Sequence, residues 1–375
     1  MFRTALRRFD TMKLLVIARP YSYQGGVERA TAGLLRALAD HGYDVHLLSS
    51  RGQPAIAGVT VHRLKLPSLP ASLRLLLFVG ATRRFVARGG WDVVQSHERT
   101  LCQHIYRAGE GCHRAYLATR AGSARGLYHR LVLALERRVF TRTPAIAAIA
   151  RRGKREIETL YDVAGDRVSV VYNGVDLARF HPRNRTALGV GARDEVGLGV
   201  GVWTLLFVGS GFERKGLATA VEALAALSDH DSRLVVIGRG HRATYEAHAA
   251  RLGVDERIVW LGPRPDVERW YAAADVAVLP TRYEPFGNVH LEALASGLPI
   301  VTSTEAGGSE LIDDGANGAV VDPRDATALA AAVERFRDLS EAGLKQARAA
   351  ARRAAEPFTY AAQVAGFSRI YANFP

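Results

Sequence analysis

The sequence predicts an α/β protein built from two doubly wound, parallel-sheet, Rossmann-like domains. The chain has 375 residues, which is long for a single hydrophobic core. Short apolar, β-rich runs alternate nearly throughout with helical stretches rich in Ala, Leu and Arg. This alternation is typical of parallel sheets covered by helices on both faces. It falls into two series, separated by a stretch in which Gly, Asn, Asp and Pro cluster.

Each series supplies six predicted strands. The strands of the first series are predicted at 13–18, 44–50, 59–66, 92–97, 145–150 and 168–173. Those of the second series are predicted at 204–209, 232–238, 257–262, 275–280, 299–303 and 318–321. Ligands of such sheets bind in the crevice at the carboxyl ends of the strands, so we expect the functional residues just after them.

The predicted domain bounds follow from these two series. They are 12–172 for the N-terminal domain, 173–182 for the linker and 183–356 for the C-terminal domain. The aromatic-rich stretch 357–375 is predicted to be helical and to pack back on the first domain. Met12 directly precedes the first strand, and we interpret residues 1–11 as an extension before the true start.

Composition excludes several classes of protein. No apolar run reaches the roughly 18 residues of a membrane span, and no apolar region follows the basic N-terminus as a secretory signal would require. Cys102 and Cys112 are too few for a disulfide framework, and we expect two reduced thiols in a cytosolic protein. The twelve histidines show no metal-ligand spacing, so no metal site is predicted.

The positive charge is concentrated in one segment. The net charge of the chain is +13, and the segment 114–155 contains ten Arg and one Lys against one acid, Glu136. Such a basic face attracts nucleic acid or an anionic membrane, although a merely solvated helix surface is the alternative. No helix-turn-helix, zinc or RNP-like motif accompanies the segment, which argues against nucleic acid.

Two glycine-containing loops are candidate phosphate sites. Gly25 and Gly26 follow the first predicted strand and precede a helix, so a ligand anion could approach their backbone. The stretch "LLFVGSGFERKGL" completes neither a dinucleotide fingerprint nor a P-loop, yet places Arg214 and Lys215 just after a strand. Two cations there could clamp a diphosphate. We predict them at a helix start, where they oppose the helix dipole and require a nearby anion.

A third motif, "RYEPFGNVHLEALASGLPIV", combines two carboxylates with a turn. Glu284 lies in the loop after the strand 275–280, and Glu292 lies inside a helix that begins near Asn288. Carboxylates accept hydrogen bonds from the hydroxyls of sugars. The turn is predicted to direct four backbone amides into the crevice, those of Phe286, Gly287, Asn288 and Val289.

This motif, followed by G-G-x-x-E-L-I, closely resembles the signature of retaining glycosyltransferases of family 4. The resemblance covers nearly the whole chain, and the basic segment 113–140 looks most like the glucosyltransferases that extend the lipopolysaccharide core. It implies the GT-B architecture, with two Rossmann-like domains facing across a cleft and a C-terminal helix crossing back to the first domain. It also implies transfer of a hexose from a nucleotide-diphosphate sugar, foremost a UDP-sugar, to a lipid-linked saccharide acceptor in lipopolysaccharide core or other cell-envelope glycan synthesis.

The resemblance assigns roles to individual residues. Gly25 and Gly26 would face the donor phosphate, and Arg214 with Lys215 would neutralise the leaving diphosphate. Glu284 would bind hydroxyls of the donor sugar and Glu292 those of the ribose. His97, at the end of the fourth predicted strand, would lie near the sugar. The sequence departs from the family at Ala150, where a Ser is common, and a helix cap is therefore expected to be missing.

The resemblance also gives the basic segment a purpose. No acidic motif of the Asp-x-Asp kind is apparent as a metal site, so the cations are expected to replace Mg²⁺. We expect a cytoplasmic protein bound peripherally to the inner face of the membrane, with contact to anionic lipid made by Arg120, Arg125, Arg130, Arg137 and Arg138. The alternatives are a GT-B enzyme of another kind, such as a nucleotide-sugar epimerase or a soluble-acceptor glycosyltransferase, and, less favoured, a basic nucleic-acid-binding protein.

Overall fold

The structure is a computed structural model that describes residues 12–20, 26–50, 52–120 and 126–374, with only the backbone described for 26–29. The chain forms two compact units. Unit 1 comprises the described residues up to Gly174 and those from Tyr360 onward, and unit 2 comprises Val175–Thr359. The first crossing falls inside the predicted linker, and the return crossing falls just after the predicted end of the second domain.

Unit 1 contains a seven-stranded parallel sheet. Its strands are β1 (Lys13–Ile17), β2 (Asp44–Ser50), β3 (Val59–Leu64), β4 (Val93–Ser96), β5 (Ile105–Ala108), β6 (Ala145–Ala148) and β7 (Val168–Val170). Their order across the sheet is β3-β2-β1-β4-β5-β6-β7. Six of the seven were predicted. The missed strand, β5, has only four residues, and one of them is the charged Arg107.

Helices cover both faces of this sheet. They are α1 (Gly26–Asp40), α2 (Ala71–Val86), α3 (His113–Ala118), α4 (Leu127–Arg142), α5 (Arg151–Tyr161) and the C-terminal α14 (Tyr360–Tyr371). Apolar side chains of β1, α1 and α14 share one core, which includes Leu14, Leu38 and Phe367. As predicted, α14 packs on the first domain. Tyr43 and Ser368 hydroxyls lie 2.7 Å apart, and the Tyr371 hydroxyl donates to Gln95 Oε1 at 2.7 Å.

Unit 2 contains a six-stranded parallel sheet, and all six strands were predicted. They are β8 (Thr204–Val208), β9 (Arg233–Ile237), β10 (Ile258–Gly262), β11 (Val276–Leu279), β12 (Ile300–Ser303) and β13 (Gly318–Val321). Their order is β10-β9-β8-β11-β12-β13. The helices are α6 (Val190–Glu195), α7 (Phe212–Lys215), α8 (Leu217–Ala226), α9 (Arg242–Arg251), α10 (Val267–Ala273), α11 (Asn288–Ala295), α12 (Ala326–Arg337) and α13 (Glu341–Ala355).

The strand orders define one topological switch point in each sheet. In unit 1 the winding direction reverses between β1 and β4, and in unit 2 it reverses between β8 and β11. Loops that leave the two central strands in opposite directions open a crevice at this point, where ligands of doubly wound sheets bind.

Candidate active site

The loop after β8 brings its two cations to the end of β11. Gly211 and Gly216 flank the single-turn helix α7 with positive φ angles of 78° and 76°. A Cβ on Gly216 would lie 1.8 Å from the carbonyl oxygen of Pro280, so only glycine lets the chain pass this close. The Arg282 amide donates to the Arg214 carbonyl at 2.8 Å. These contacts fix the loop at the switch point.

Arg214 and Lys215 meet at one carboxylate, that of Glu284. Lys215 Nζ lies 2.5 Å and Arg214 Nη1 2.8 Å from the same oxygen, Oε2. Arg214 Nη1 also donates to the carbonyl of Tyr283 at 2.9 Å. The two cations end the four-residue helix α7 and directly precede the N-terminus of α8, so they lie at a helix start as predicted. The nearby anion that this position requires is Glu284.

This cluster is a strongly coupled electrostatic unit. Burial alone would raise the pKa of Glu284, but Lys215 and Arg214 outweigh it and lower that pKa to about 2. Burial lowers the pKa of Lys215, while Glu284 and Glu292 act to raise it. Both cations bind Oε2, and among the described residues no hydrogen-bond partner lies at Glu284 Oε1. The cluster therefore offers two positive groups and one unshared carboxylate oxygen.

The turn after Glu284 is held by the loop that follows β12. Amides of the Gly307-Gly308 pair donate to the carbonyls of Glu284 and Phe286 at 2.8 and 2.9 Å. The Phe286 side chain is fully buried, so it anchors the turn in the core. Gly287 has a φ of 83° and precedes α11, which begins at Asn288 as predicted, with Val289 as its second residue.

A buried histidine beneath this turn was not predicted. His290 Nδ1 donates to the Gly287 carbonyl at 2.8 Å, and its Nε2 lies 2.8 Å from Thr302 Oγ1. Burial lowers the pKa of His290 to about 4, which keeps the ring neutral. A Cβ on Gly308 would lie 2.5 Å from this ring. The spacing of His290 two residues before Glu292, opposite a Gly-Gly pair, was the available signal.

Glu292 lies in α11, close to the cluster of Arg214, Lys215 and Glu284. Its side chain is buried, and its Oε2 accepts a hydrogen bond from the Tyr271 hydroxyl at 2.8 Å. It is close enough to Lys215 to oppose in part the lowering of that residue's pKa by burial. The structure thus brings together all four charged residues that the sequence placed in unit 2, and their roles toward a ligand stay predictions.

The structure describes only some of the site residues predicted in unit 1. Gly25 lies outside the described residues, and Gly26 is the first residue of α1. His97 directly follows β4 and is 7% exposed. Its Nε2 accepts from Gln95 Nε2 at 2.9 Å, and its Nδ1 has no partner in the described ranges. Burial and, secondarily, Arg107 lower its pKa.

The described part of the basic segment 113–140 contains α3 and most of α4, and some of its apolar side chains are exposed while others are buried. Four of its five predicted membrane-contact arginines are exposed, namely Arg120, Arg130, Arg137 and Arg138, whereas Arg125 lies outside the described residues. Leu127 and Tyr128 are 65% and 42% exposed beside them. Other apolar residues of the segment face the core, namely Leu117, Val132 and Leu135. Three exposed leucines on the packed neighbour α2 were not predicted, namely Leu73, Leu76 and Leu77.

Three further observations concern metal binding, membrane spanning and disulfide bonds. In the described ranges, no group of three or more His, Cys, Asp or Glu side chains could hold a metal ion. None of the helices there combines the length and apolarity needed to cross a bilayer. Cys102 is partly exposed and Cys112 is buried, and neither forms a disulfide.

Comparison with known proteins identifies the class. Residues 24–179 match the family model "Glycosyltransferase Family 4", and residues 203–338 match "Glycosyl transferases group 1". The D-inositol 3-phosphate glycosyltransferase of Acidothermus cellulolyticus is 30% identical over 356 residues, covering 84% of this chain and 78% of that protein.

Two solved structures show the same fold. WaaG, a glycosyltransferase involved in lipopolysaccharide biosynthesis, superposes with a TM-score of 0.81 at 22% identity, covering 96% of this chain and 99% of that one. Anabaena HepE in complex with UDP-glucose superposes with a TM-score of 0.74 at 16% identity, covering 96% and 100%. The two parallel-sheet units thus define a glycosyltransferase of the GT-B fold class. Within that class, the chain belongs to glycosyltransferase family 4.

Proposed function

We propose that the protein is a retaining hexosyltransferase that uses a nucleotide-diphosphate sugar, foremost a UDP-sugar, and a lipid-linked saccharide acceptor in cell-envelope glycan synthesis such as that of the lipopolysaccharide core. The observation that carries the proposal is the convergence of Arg214 and Lys215 on Glu284 at the switch point of unit 2. A diphosphate is the ligand that two adjacent cations favour, and a sugar supplies the hydroxyls that a carboxylate binds.

The donor would be held by groups already in position. Lys215 and Arg214 would bind the diphosphate, and the open Oε1 of Glu284 would accept from a sugar hydroxyl. Glu292 would bind the ribose, with Phe286, Gly287, Asn288 and Val289 contributing backbone amides nearby. A complex of the structural neighbour HepE with UDP-glucose supports a uridine donor.

The charges also suggest how the bond breaks. As the bond between the anomeric carbon and the diphosphate oxygen opens, negative charge develops on the leaving phosphate, where the two cations stabilise it. The acceptor hydroxyl would attack from the same face and give its proton to that phosphate, which retains the anomeric configuration. Glu284 is a poor nucleophile in this arrangement, because both cations already bind one of its oxygens. No metal ion is required in this scheme.

The surface of unit 1 favours an acceptor at a membrane. Exposed arginines flank the exposed Leu127 and Tyr128 in the sequence, and the packed neighbour α2 adds exposed leucines and Arg74. A surface of this kind binds anionic lipid by charge and by burial of apolar side chains. We therefore place the enzyme peripherally on the inner face of the cytoplasmic membrane.

A second candidate function is transfer to a soluble phosphorylated polyol. It is favoured by relatives named D-inositol 3-phosphate glycosyltransferase, one of them 30% identical over most of the chain. Such an acceptor is anionic, and the basic segment would serve it as well as a membrane.

The test separates the two acceptors. The quadruple variant reversing Arg120, Arg130, Arg137 and Arg138 to Glu should lose sedimentation with phosphatidylglycerol vesicles while keeping calorimetric binding of UDP-glucose. A quadruple reversal of exposed arginines in unit 2 serves as the control, at Arg242, Arg251, Arg324 and Arg353. Vesicle binding that survives the unit 1 reversal would show that the basic segment is not the membrane contact, whereas a wild-type protein that does not sediment with the vesicles would favour the soluble acceptor. A wild-type protein that binds no nucleotide sugar would remove both.

Metal independence has its own test. Turnover of UDP-glucose should persist in excess EDTA, because the two cations supply the positive charge that Mg²⁺ gives in other transferases. Loss of turnover that added Mg²⁺ restores would contradict this part of the proposal.

A further inference from the structure

Four charged side chains meet at the switch point of unit 1, where the sequence analysis assigned only His97 and the glycine pair. Arg19 follows β1, Glu98 and Arg99 follow β4, and Glu110 follows β5. Because β1, β4 and β5 are neighbouring parallel strands, the residues that follow them lie at the same edge of the sheet. This edge corresponds to the position of the Arg214, Lys215 and Glu284 cluster in unit 2.

Each carboxylate oxygen of Glu110 is bound by one guanidinium group. Arg19 Nη2 lies 2.7 Å from its Oε1, and Arg99 Nη1 lies 2.8 Å from its Oε2. Arg19 is also bound by Glu98, with 2.9 Å between Nε and Oε1. Charge-assisted bonds of this length orient a carboxylate firmly.

Arg99, which binds Glu110, is itself bound by a buried carboxylate. The far edge of Arg99 binds the buried Glu136 at 2.9 Å, and Glu136 accepts from the backbone amides of His113 and Arg114 at 2.7 and 3.1 Å. Glu136, which also accepts from Tyr161, therefore has both oxygens occupied and only 1% of its side chain exposed. Its role is to cap α3 and to fix Arg99.

Glu110 differs from Glu136 in having capacity to spare. A carboxylate has about four lone-pair sites, and the two arginines occupy one on each oxygen of Glu110. Its side chain is 36% exposed, so part of it is accessible to a ligand. Burial acts to raise the pKa of Glu110, but Arg19 and Arg99 outweigh it and lower that pKa, so the group stays an acceptor at neutral pH.

We propose that Glu110, oriented by Arg19 and Arg99, binds hydroxyls of a sugar in the reaction. The inference rests on the proposed function, which supplies two such sugars, the transferred hexose of the donor and the saccharide of the acceptor. An oriented carboxylate with spare lone pairs matches a vicinal diol, and the neighbouring guanidinium edges can donate to the same oxygens.

The donor arm of the test is calorimetry on Glu110→Gln, which keeps size and hydrogen bonding but removes the charge. If the donor hexose is the ligand, the Kd for UDP-glucose should rise about tenfold, since a hydrogen bond to a charged group is lost. The Kd for UDP should stay within twofold of wild type, because UDP lacks the hexose.

The acceptor arm measures the release of UDP from UDP-glucose as methyl α-D-glucoside is added as a surrogate acceptor. If the acceptor sugar is the ligand, Glu110→Gln should lose about tenfold of the stimulation by methyl glucoside at unchanged Kd for UDP-glucose. A wild-type protein that fails to bind UDP-glucose would overturn the proposed function, independently of Glu110.

Glu195→Gln is the matched control. Glu195 is also 36% exposed and also lies between two arginines, with Arg264 at 3.1 Å and Arg269 at 3.0 Å, but it is the last residue of α6 and does not follow a strand of either switch point. If both arms change by less than twofold relative to this control, Glu110 is a structural ion-pair partner and the proposal is wrong. Should Glu110→Gln fold poorly, Arg19→Gln keeps the carboxylate and is expected to weaken the same arm about threefold, and no weakening would equally overturn the proposal.

Discussion

The switch points of the two sheets pair cations with carboxylates in different ways on the same topology. In unit 2, two cations surround one carboxylate, and Lys215 and Glu284 are 9% and 13% exposed. In unit 1, two arginines are shared among Glu98, Glu110 and Glu136, and Glu110 is 36% exposed. A cation-rich, buried cluster suits a phosphate ligand, whereas an acid-rich, accessible cluster suits hydroxyls. The fold fixes where a ligand binds, and the residues after the strands decide its chemistry.

The largest expected effect comes from removing the buried cation of unit 2. Lys215→Ala should lower the turnover of UDP-glucose by about 10²–10³-fold, because the leaving phosphate loses a preorganised positive charge. Glu284, left with Arg214 alone, should remain ionised since its pKa starts at about 2. Steady-state kinetics at neutral pH measures the change.

Lys345→Ala is the control for this prediction, since Lys345 is exposed in the first half of α13 and follows no strand. It should leave turnover unchanged. Near-normal turnover of folded Lys215→Ala would show that unit 2 does not hold the diphosphate in this way, and the contrast between the two switch points would lose its chemical meaning.

A medium effect is expected from the buried histidine of unit 2. The pKa of His290 is about 4 in the folded protein and near 6.5 when unfolded. As the pH falls through 6.5, the unfolded chain therefore takes up a proton that the folded chain does not. The free energy of unfolding should fall by up to about 1.4 kcal/mol per pH unit from this residue.

Urea unfolding of His290→Gln at pH 7 and pH 5 tests this. Between these two pH values the variant should lose about 2 kcal/mol less stability than wild type. An equal loss in both proteins would assign the acid sensitivity to other buried groups, such as His97 in unit 1.

Much of the fold was predictable because buried parallel strands appear in the sequence as short apolar runs. Twelve of thirteen strands were found in this way, and the exception, β5, carries the buried Arg107 among its four residues. Missing β5 had a consequence: Glu110 lies two residues after that strand, and without the strand nothing marked this acid as an edge residue. The Glu110 network was therefore invisible to the sequence analysis.

The site in unit 2 was predictable because its residues are close to strand ends and glycines. The pairing of Lys215 and Arg214 with Glu284 was not, because it depends on Gly216 approaching Pro280 across the sheet. The division of the basic segment into exposed and core-facing apolar residues also needed the structure. Helical periodicity indicates two faces, but only packing shows that Val132 and Leu135 face the core while Leu127 does not.

The smallest expected effect concerns helix ends, where the units differ again. In unit 2, Asp325 and Ser340 cap α12 and α13 by accepting from amides at 2.8 and 3.2 Å. In unit 1, α5 begins after Ala150, which offers no side-chain cap, as the sequence predicted. The Ala150 backbone is already extended, with φ of −158° and ψ of 158°, so a serine there could accept from the first turn without rearrangement.

Ala150→Ser should therefore raise the stability of unit 1 by about 0.5–1 kcal/mol, or about 2 °C in thermal unfolding. Ala150→Cys is the matched control, because it has a similar shape and only a weak acceptor. A gain in both variants would mean that filling space around the buried Ala150 is the cause, and a loss in both would mean that the site has no room for a γ atom. Only a gain confined to serine shows that the missing cap weakens α5.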